Sequence, residues 1–224
     1  MTDPSPIRVV LVDDQQLFRE GVAIMIDAQP DMEVVGRASD GQESLEVIAA
    51  SEPDVVLMDI RMPVMDGVAA TRELFSPVAT AARTKPLKVV VLTTFNLDLS
   101  AATAIRLGAS GFLLKDTRPA ELLSAVRAVA AGDAAVSPRV TQRMLELFGS
   151  RMPDPAASAL DSLTPREHEI LLAIAEGLTN GEIGERFVLS ESTVKTHVGR
   201  VLMKLELRDR VQAVIFAFEH GLAG

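Results

Sequence analysis

Cysteine, tryptophan and tyrosine are absent from the 224 residues, and eight phenylalanines form the whole aromatic complement. Without cysteine there is no disulfide scaffold, no thiolate zinc site and no thiol nucleophile. Long apolar runs are also missing, and none approaches the roughly 18 residues of a membrane span. Met1 to Pro6 lacks the basic and apolar stretches of a secretion signal, so a cytoplasmic location without membrane contact is expected. Positive charge is in deficit, with 22 Lys plus Arg against 31 Asp plus Glu and a net charge of -9. That balance excludes coating of nucleic acid by bulk attraction, although a local basic face is still able to bind it. What is present is ordinary globular material, 48% hydrophobic and 24% charged. A chain of this length suggests one or two domains and buries enough apolar surface to fold without staples.

From Ile7 to Gly132 short apolar runs alternate with helical patterns, the signature of strand-helix units around a parallel sheet. Five strands are expected: Ile7 to Val12, Glu33 to Ala38, Val55 to Met58, Leu87 to Leu92 and Gly111 to Leu114. Their Val, Leu and Ile content fits strands covered on both faces. Right-handed crossovers place helices on both sides. The last of these helices carries Leu122, Val126, Val129 and Ala130 at helical spacing, with Pro119 in its first turn and Gly132 as its stop. Residues 133–159 turn to Ala, Ser and Pro and read as a linker, with a short helix expected only at Val140 to Phe148. Residues 160–224 show no strand pattern. Four helices are expected there, at Thr164 to Glu176, Asn180 to Phe187, Glu191 to Leu205 and Asp209 to His220.

The first strand ends in Val12-Asp13-Asp14 and the third in Met58-Asp59. In an open parallel sheet that carboxyl edge is where ligands bind. Three carboxylates converging there repel one another unless a cation sits among them, and hard oxygen donors in small number suit Mg²⁺. The fourth strand ends in Thr93, a hydroxyl, and the fifth in Lys115, an ammonium on a long stem. Carboxylates, hydroxyl and ammonium are the parts of phosphoryl chemistry on a carboxylate nucleophile. Taken singly each group has a plainer explanation as a cap or a solvated charge, but four strand ends with matching groups form a constellation.

The stretches VLVDD, VVLMDIRMPVMDG, VVVLTTF and GASGFLLKD resemble the receiver domain of two-component response regulators over residues 1–132. The resemblance implies a flavodoxin-like five-stranded sheet of order 2-1-3-4-5. It implies that Asp59 is the phosphoacceptor and that Asp13, Asp14 and Asp59 with the Arg61 backbone carbonyl hold Mg²⁺. It further implies that Thr93 and Lys115 engage the phosphoryl group and that Phe112 stands at an aromatic switch position. Two departures stand out. Asp116 follows Lys115 where many receivers have a cis proline, and Leu74 to Lys85, with Pro77 inside it, is longer and more irregular than usual, so its helix is expected to end early.

In the tail, two arginines face seven acids from Asp161 to Glu191, a net -5, whereas five basic residues face three acids from Ser192 onward, a net +2. On the third tail helix Val194, Val198, Val201, Leu202 and Leu205 share one face. Ser192, Thr193, Thr196, Gly199, Arg200 and Met203 point outward, with Lys195 and Lys204 on the flanks. An amphipathic helix, a loop at Gly177 to Thr179, a short helix, and a turn at Leu189-Ser190 with Ser190 as N-cap precede it, a helix-turn-helix layout. The residues LTPREHEIL and EGLTNGEIGERFVLSESTVKTHVGRVLMKL resemble the LuxR-type DNA-binding domain, so the whole chain resembles a NarL/FixJ-family response regulator. That resemblance implies base contacts from Lys195, Thr196 and Gly199 and phosphate contacts from Thr193 and residues near Lys204. Gly199 brings no side chain, so readout is expected to lean on Lys195, Thr196 and Arg200, with Ser192 beside them.

The partners implied are a sensor histidine kinase, promoter DNA, a second copy of the chain on phosphorylation and RNA polymerase, with no turnover enzyme activity. Metal-dependent phosphohydrolases share the Asp nucleophile, Mg²⁺, Thr and Lys, but no cap insertion is evident here. A receiver that binds DNA without phosphorylation is the other alternative. His168, His197 and His220 are too far apart for a metal motif, and Gly108 to Gly111 precedes a strand and reads as a turn. Asn180 is expected to cap its helix. Val211, Val214, Ile215 and Phe218 of the last helix are candidates either for a subunit contact or for closing the core.

Overall fold

Val9, Val10, Val55, Val56, Leu57, Met58, Val89 and Val90 have no exposed surface, which only a sheet covered on both faces provides. The computed structural model describes residues 5–94, 99–132, 160 and 162–222. The expected linker at 133–159, with its helix at Val140 to Phe148, lies outside them. The chain divides into two compact units, Met1–Ala135 and Val136–Gly224.

In the first unit the strands are β1 (Ile7–Val12), β2 (Met32–Ala38), β3 (Val55–Asp59), β4 (Lys88–Thr93) and β5 (Gly111–Leu114). All pair in parallel in the order β2-β1-β3-β4-β5, as the resemblance implies. Helices α1 (Gln16–Asp27), α2 (Gly41–Ser51), α3 (Gly67–Leu74), α4 (Pro77–Ala81), α5 (Leu99–Leu107) and α6 (Pro119–Ala130) alternate with them. Val22, Ala23 and Ile26 of α1 and Leu122, Val126 and Val129 of α6 close one core over Val9, Leu11, Leu57 and Val90. Helices α2, α3 and α5 pack side by side elsewhere on the unit. The edge strand β2 carries a bulge: Val9 pairs with Val34 but Val10 with Gly36, and a Cβ on Gly36 would stand 2.5 Å from Val47 of α2.

The irregular stretch after α3 has a local cause. Phe75 ends α3, Ser76 accepts from the Ala79 N–H as a new N-cap, and Pro77 opens the five-residue α4. Proline is tolerated at that first position because its missing N–H would be unpaired anyway. Elsewhere Asp40 and Asp66 cap α2 and α3 through the Glu43 and Ala69 N–H groups.

The second unit holds α7 (Pro165–Ala175), α8 (Asn180–Phe187), α9 (Glu191–Lys204) and α10 (Arg210–Glu219). Ile170, Leu171, Ile174, Ile183, Val194 and Val201 form its core. Capping boxes fix the starts of α7 and α8, Thr164 with Glu167 and Thr179 with Glu182. The cap of α8 is therefore Thr179 and not Asn180, which is buried in the first turn and accepts from Arg210 Nη1 at 2.9 Å. Arg210 also donates to the Leu178 carbonyl. Val211, Val214 and Ile215 are buried, Val214 within this core; the Phe218 side chain lies outside the described residues. At the turn, Val188 is left-handed (φ 55) and Gly184 lies where a Cβ would be 2.8 Å from the Leu189 carbonyl, a close approach open only to glycine.

Lys204, at the end of α9, reaches the start of α7. Its ammonium donates to Glu167 Oε2 at 2.6 Å and to the Ser162 carbonyl at 3.0 Å. Glu167 is only 3% exposed. The hydrogen bond from Lys204, then that from the Thr164 N–H, hold its carboxyl well below the ordinary 4.5, at about 2. A depressed carboxyl stabilises the fold above its unfolded value, and that stability is lost as pH falls from about 4.5 through about 2. Glu167→Gln should cost the second unit roughly 1–3 kcal/mol at neutral pH, with the gap to the parent closing below pH 4.5. Urea unfolding of the full chain followed by circular dichroism measures this, and a gap independent of pH contradicts it. Gly67 offers a second check. A Cβ there would lie 2.1 Å from the Asp59 carbonyl oxygen, so Gly67→Ala should destabilise the first unit by roughly 1–3 kcal/mol, seen as a lower melting temperature.

Candidate functional site

Strand register brings the chemistry together before any side chain is considered. Val12 pairs with Met58, Asp59 with Leu92, and Thr93 with Leu114. Asp13, Asp59, Thr93 and Lys115 therefore follow one another along the carboxyl edge, on both sides of the point where strand order reverses between β1 and β3. Asp13, Asp59 and Thr93 are 2 to 4% exposed. Lys115 extends inward and its ammonium lies 2.7 Å from Asp13 Oδ2 and 2.8 Å from Asp59 Oδ2.

Three carboxylates face this one ammonium. Oxygens of Asp13, Asp14 and Asp59 lie within 4.8 Å of one another, with Asp14 exposed. Burial pushes the Asp59 carboxyl above its usual range; contact with Lys115 opposes this without cancelling it, and the charge of Asp13 adds to the rise. Burial also works against the Lys115 ammonium, but Asp13 and Asp59 outweigh it and raise its pKa. Asp13 Oδ2 is buried and, although close to the ammonium, has no aligned hydrogen-bond donor. Its contact is one of charge, with lone pairs still to be filled. A hard divalent cation fits such a donor set.

The loop after β3 holds the edge in shape. The Gly67 N–H donates to the Ile60 carbonyl at 2.9 Å, and the Met65 carbonyl accepts from the Gly41 N–H at 2.9 Å, which ties the loop to the start of α2. Val64 takes a left-handed φ of 63 in that loop, next to Pro63. The Arg61 N–H lies 3.4 Å from Asp59 Oδ1. Phe112 is 3% exposed and pairs with Val91 inside the sheet.

Two residues of this site carry no strand-end signal and were missed in the sequence. The Phe18 ring lies under the Lys115 ammonium, 5.0 Å from its centroid. Arg19 donates to the Asp13 carbonyl, while the Gln15 N–H holds Asp13 Oδ1 at 2.9 Å. Both Phe18 and Arg19 sit on the first turn of α1, just after the Asp13-Asp14 pair, and that offset is the signal available.

In the second unit α9 divides as its sequence predicts. Val194, Val198 and Val201 are buried, whereas Ser192, Lys195, Thr196, Gly199, Arg200 and Met203 are exposed. Thr193 is half-buried. Ser190 Oγ accepts from the Thr193 N–H at 3.2 Å as N-cap, and Thr196 Oγ1 donates to the Ser192 carbonyl at 3.0 Å. Lys195 pairs with Glu191 at 3.3 Å across one exposed turn. Lys204 is turned toward Glu167. His197 is half-buried with its Nδ1 unpartnered, and the three histidines form no cluster able to hold a metal.

Comparison with known proteins agrees with both halves of this geometry. The response regulator receiver domain family matches residues 9–127, and the bacterial regulatory proteins of the luxR family match residues 161–217. An uncharacterised transcriptional regulatory protein, YxjL, of Bacillus subtilis is 42% identical over 217 residues, covering 96% of this chain and 97% of its own. Transcriptional regulatory protein LiaR of the same organism is 41% identical over 218 residues, with 96% and 99% covered. Among solved structures, the response regulator ChrA of a heme-sensing two-component system is similar with a TM-score of 0.52 and 33% identity over 98% of this chain and all of its own. These relatives are regulators of transcription and not turnover enzymes, which removes the phosphohydrolase alternative. Among the described residues no helix is long and apolar enough to cross a membrane. The chain belongs to the response regulators that join a receiver domain to a LuxR-type DNA-binding domain, the NarL/FixJ family of transcription regulators.

Proposed function

We propose that Asp59 is the residue this regulator phosphorylates, on transfer from a sensor histidine kinase in the cytoplasm, and that its phosphorylation drives pairing of two chains on promoter DNA. The observation that carries the reading is the convergence of Asp13, Asp59 and Lys115 at one sheet edge, with a single ammonium 2.7 and 2.8 Å from two buried carboxylates.

Asp59 supplies the attacking carboxylate oxygen, and the phosphoryl group leaves the kinase histidine as the new acyl-phosphate bond forms. Mg²⁺ held by Asp13, Asp14, Asp59 and the Arg61 carbonyl would supply charge neutralisation for the transferred group. Lys115, already in contact with Asp59 Oδ2, exchanges that partner for a phosphoryl oxygen. The Thr93 hydroxyl donates to another. Because Lys115 N–H is bonded to the Thr93 carbonyl at 2.8 Å, movement of either residue strains the β4 and β5 ends together. Phe112, on β5, is the aromatic group that follows this shift.

In the second unit Ser192, Lys195, Thr196, Gly199 and Arg200 form the face laid into the major groove, with Thr193 near the backbone. Lys204 contributes to the phosphate field from the rim of that face while its ammonium anchors Glu167. Residues 133–159 link receiver 1–132 to reader 160–224. A single reader binds weakly, and pairing on two half-sites multiplies affinity.

Acetyl phosphate with Mg²⁺ should add one phosphoryl mass to the parent chain and none to Asp59→Asn. The modified chain should elute as a dimer and footprint two half-sites about one helical turn apart. Equal modification of Asp59→Asn, or an unchanged footprint, contradicts the reading. On the reading helix, a Cβ at Gly199 meets nothing within 4 Å, so Gly199→Ala should stabilise the reader by roughly 0.5–1 kcal/mol through helix propensity while altering operator affinity. A lower melting temperature would show that the position is crowded.

A further inference from the structure

Between α2 and the break separating α3 from α4 the receiver unit carries a cavity of about 640 Å³, within the range of small-molecule sites. Leu45, Ile48 and Ala49 of α2, Leu74 of α3, and Val78 and Ala79 of α4 give it apolar walls. Val78 is 82% exposed at that wall. None of the phosphoacceptor residues lines this space.

The polar groups around it are unequal. Glu52 and Glu73 are exposed, and Glu52 faces the Thr84 hydroxyl at 3.4 Å. Lys85 is exposed and paired with Asp54 at 3.2 Å. Arg83 is different. The residue is half-buried, its Nη1 donates to the Leu74 carbonyl at 2.6 Å, and no carboxylate among the described residues lies within ion-pair distance of it. Burial lowers its pKa. A guanidinium offers five donors in a planar fork shaped for a carboxylate, so most of this group's capacity is unspent beside an apolar wall. Glu52, Glu73 and Lys85 are exposed and screened by water, which leaves Arg83 as the half-buried charge of the lining.

We propose that this cavity binds a small amphipathic carboxylic acid of the medium-chain fatty-acid class, its chain against Leu45, Ile48, Leu74 and Val78 and its carboxylate on the Arg83 guanidinium. An uncharged apolar molecule fits the walls but buries the guanidinium further without a partner, which costs binding energy. A short acid satisfies the guanidinium but leaves the walls wet. Chain and carboxylate are both required.

The test is a titration of the full-length protein with sodium decanoate below its micelle concentration, read from methyl resonances in NMR spectra, with decanol and propionate as controls. Saturable shifts of Leu45, Ile48, Leu74 and Val78 methyls are expected, with decanoate binding at least roughly tenfold tighter than decanol, the worth of one charge-assisted hydrogen bond. Arg83→Gln should weaken decanoate by a similar factor and leave decanol unchanged, and Ala79→Phe, which fills the cavity, should remove both. The ligand comparison on the parent protein stands even if a variant folds poorly. Absence of saturable shifts, or equal binding of decanoate and decanol, overturns the proposal.

Discussion

One ammonium between two buried carboxylates is the interaction on which the receiver unit depends. Lys115 contacts Asp13 and Asp59 together, yet with Asp14 alongside, the edge is short of positive charge. Burial of carboxylates is costly unless charges are paired. The fold tolerates the imbalance because these groups sit at the open carboxyl edge of the sheet, where a cation is able to complete the balance. The register of β1, β3, β4 and β5 determines which residues share that deficit, and a slip of one residue in any pair would scatter them.

The reader unit solves the opposite problem. Its core is small, and two buried polar fastenings supplement it: Lys204 to Glu167 across the ends of α9 and α7, and Arg210 to Asn180 and Leu178 between α10 and α8. Lys204 meets a buried carboxylate, and Arg210 donates to two neutral oxygens. Both fastenings tie the helices around α9 at their ends and leave its exposed face unobstructed.

Strand positions were legible to within a residue because Val, Leu and Ile runs buried on both faces have few other interpretations. The strand-end groups Asp13, Asp59, Thr93 and Lys115 were legible for the same reason, since a strand's end fixes where the next residue stands. Phe18 and Arg19 were not, because they act from a helix whose rotation about its axis depends on tertiary packing. The internal pairing of Lys204 was hidden likewise: as a helix-end lysine it reads as a phosphate contact, and its partner Glu167 lies 37 residues away. Asn180 misled through propensity. Both Thr179 and Asn180 favour caps, and the capping box with Glu182 decided for the threonine.

The bare spot on α9 has a consequence for descent. At the buried points of this helix, Val194, Val198 and Val201, a new side chain must repack the core, so change there carries a folding penalty. Gly199 faces open space in a helix whose opposite side alone is packed. A duplicated copy of this regulator is therefore free to vary there while the scaffold stays indifferent.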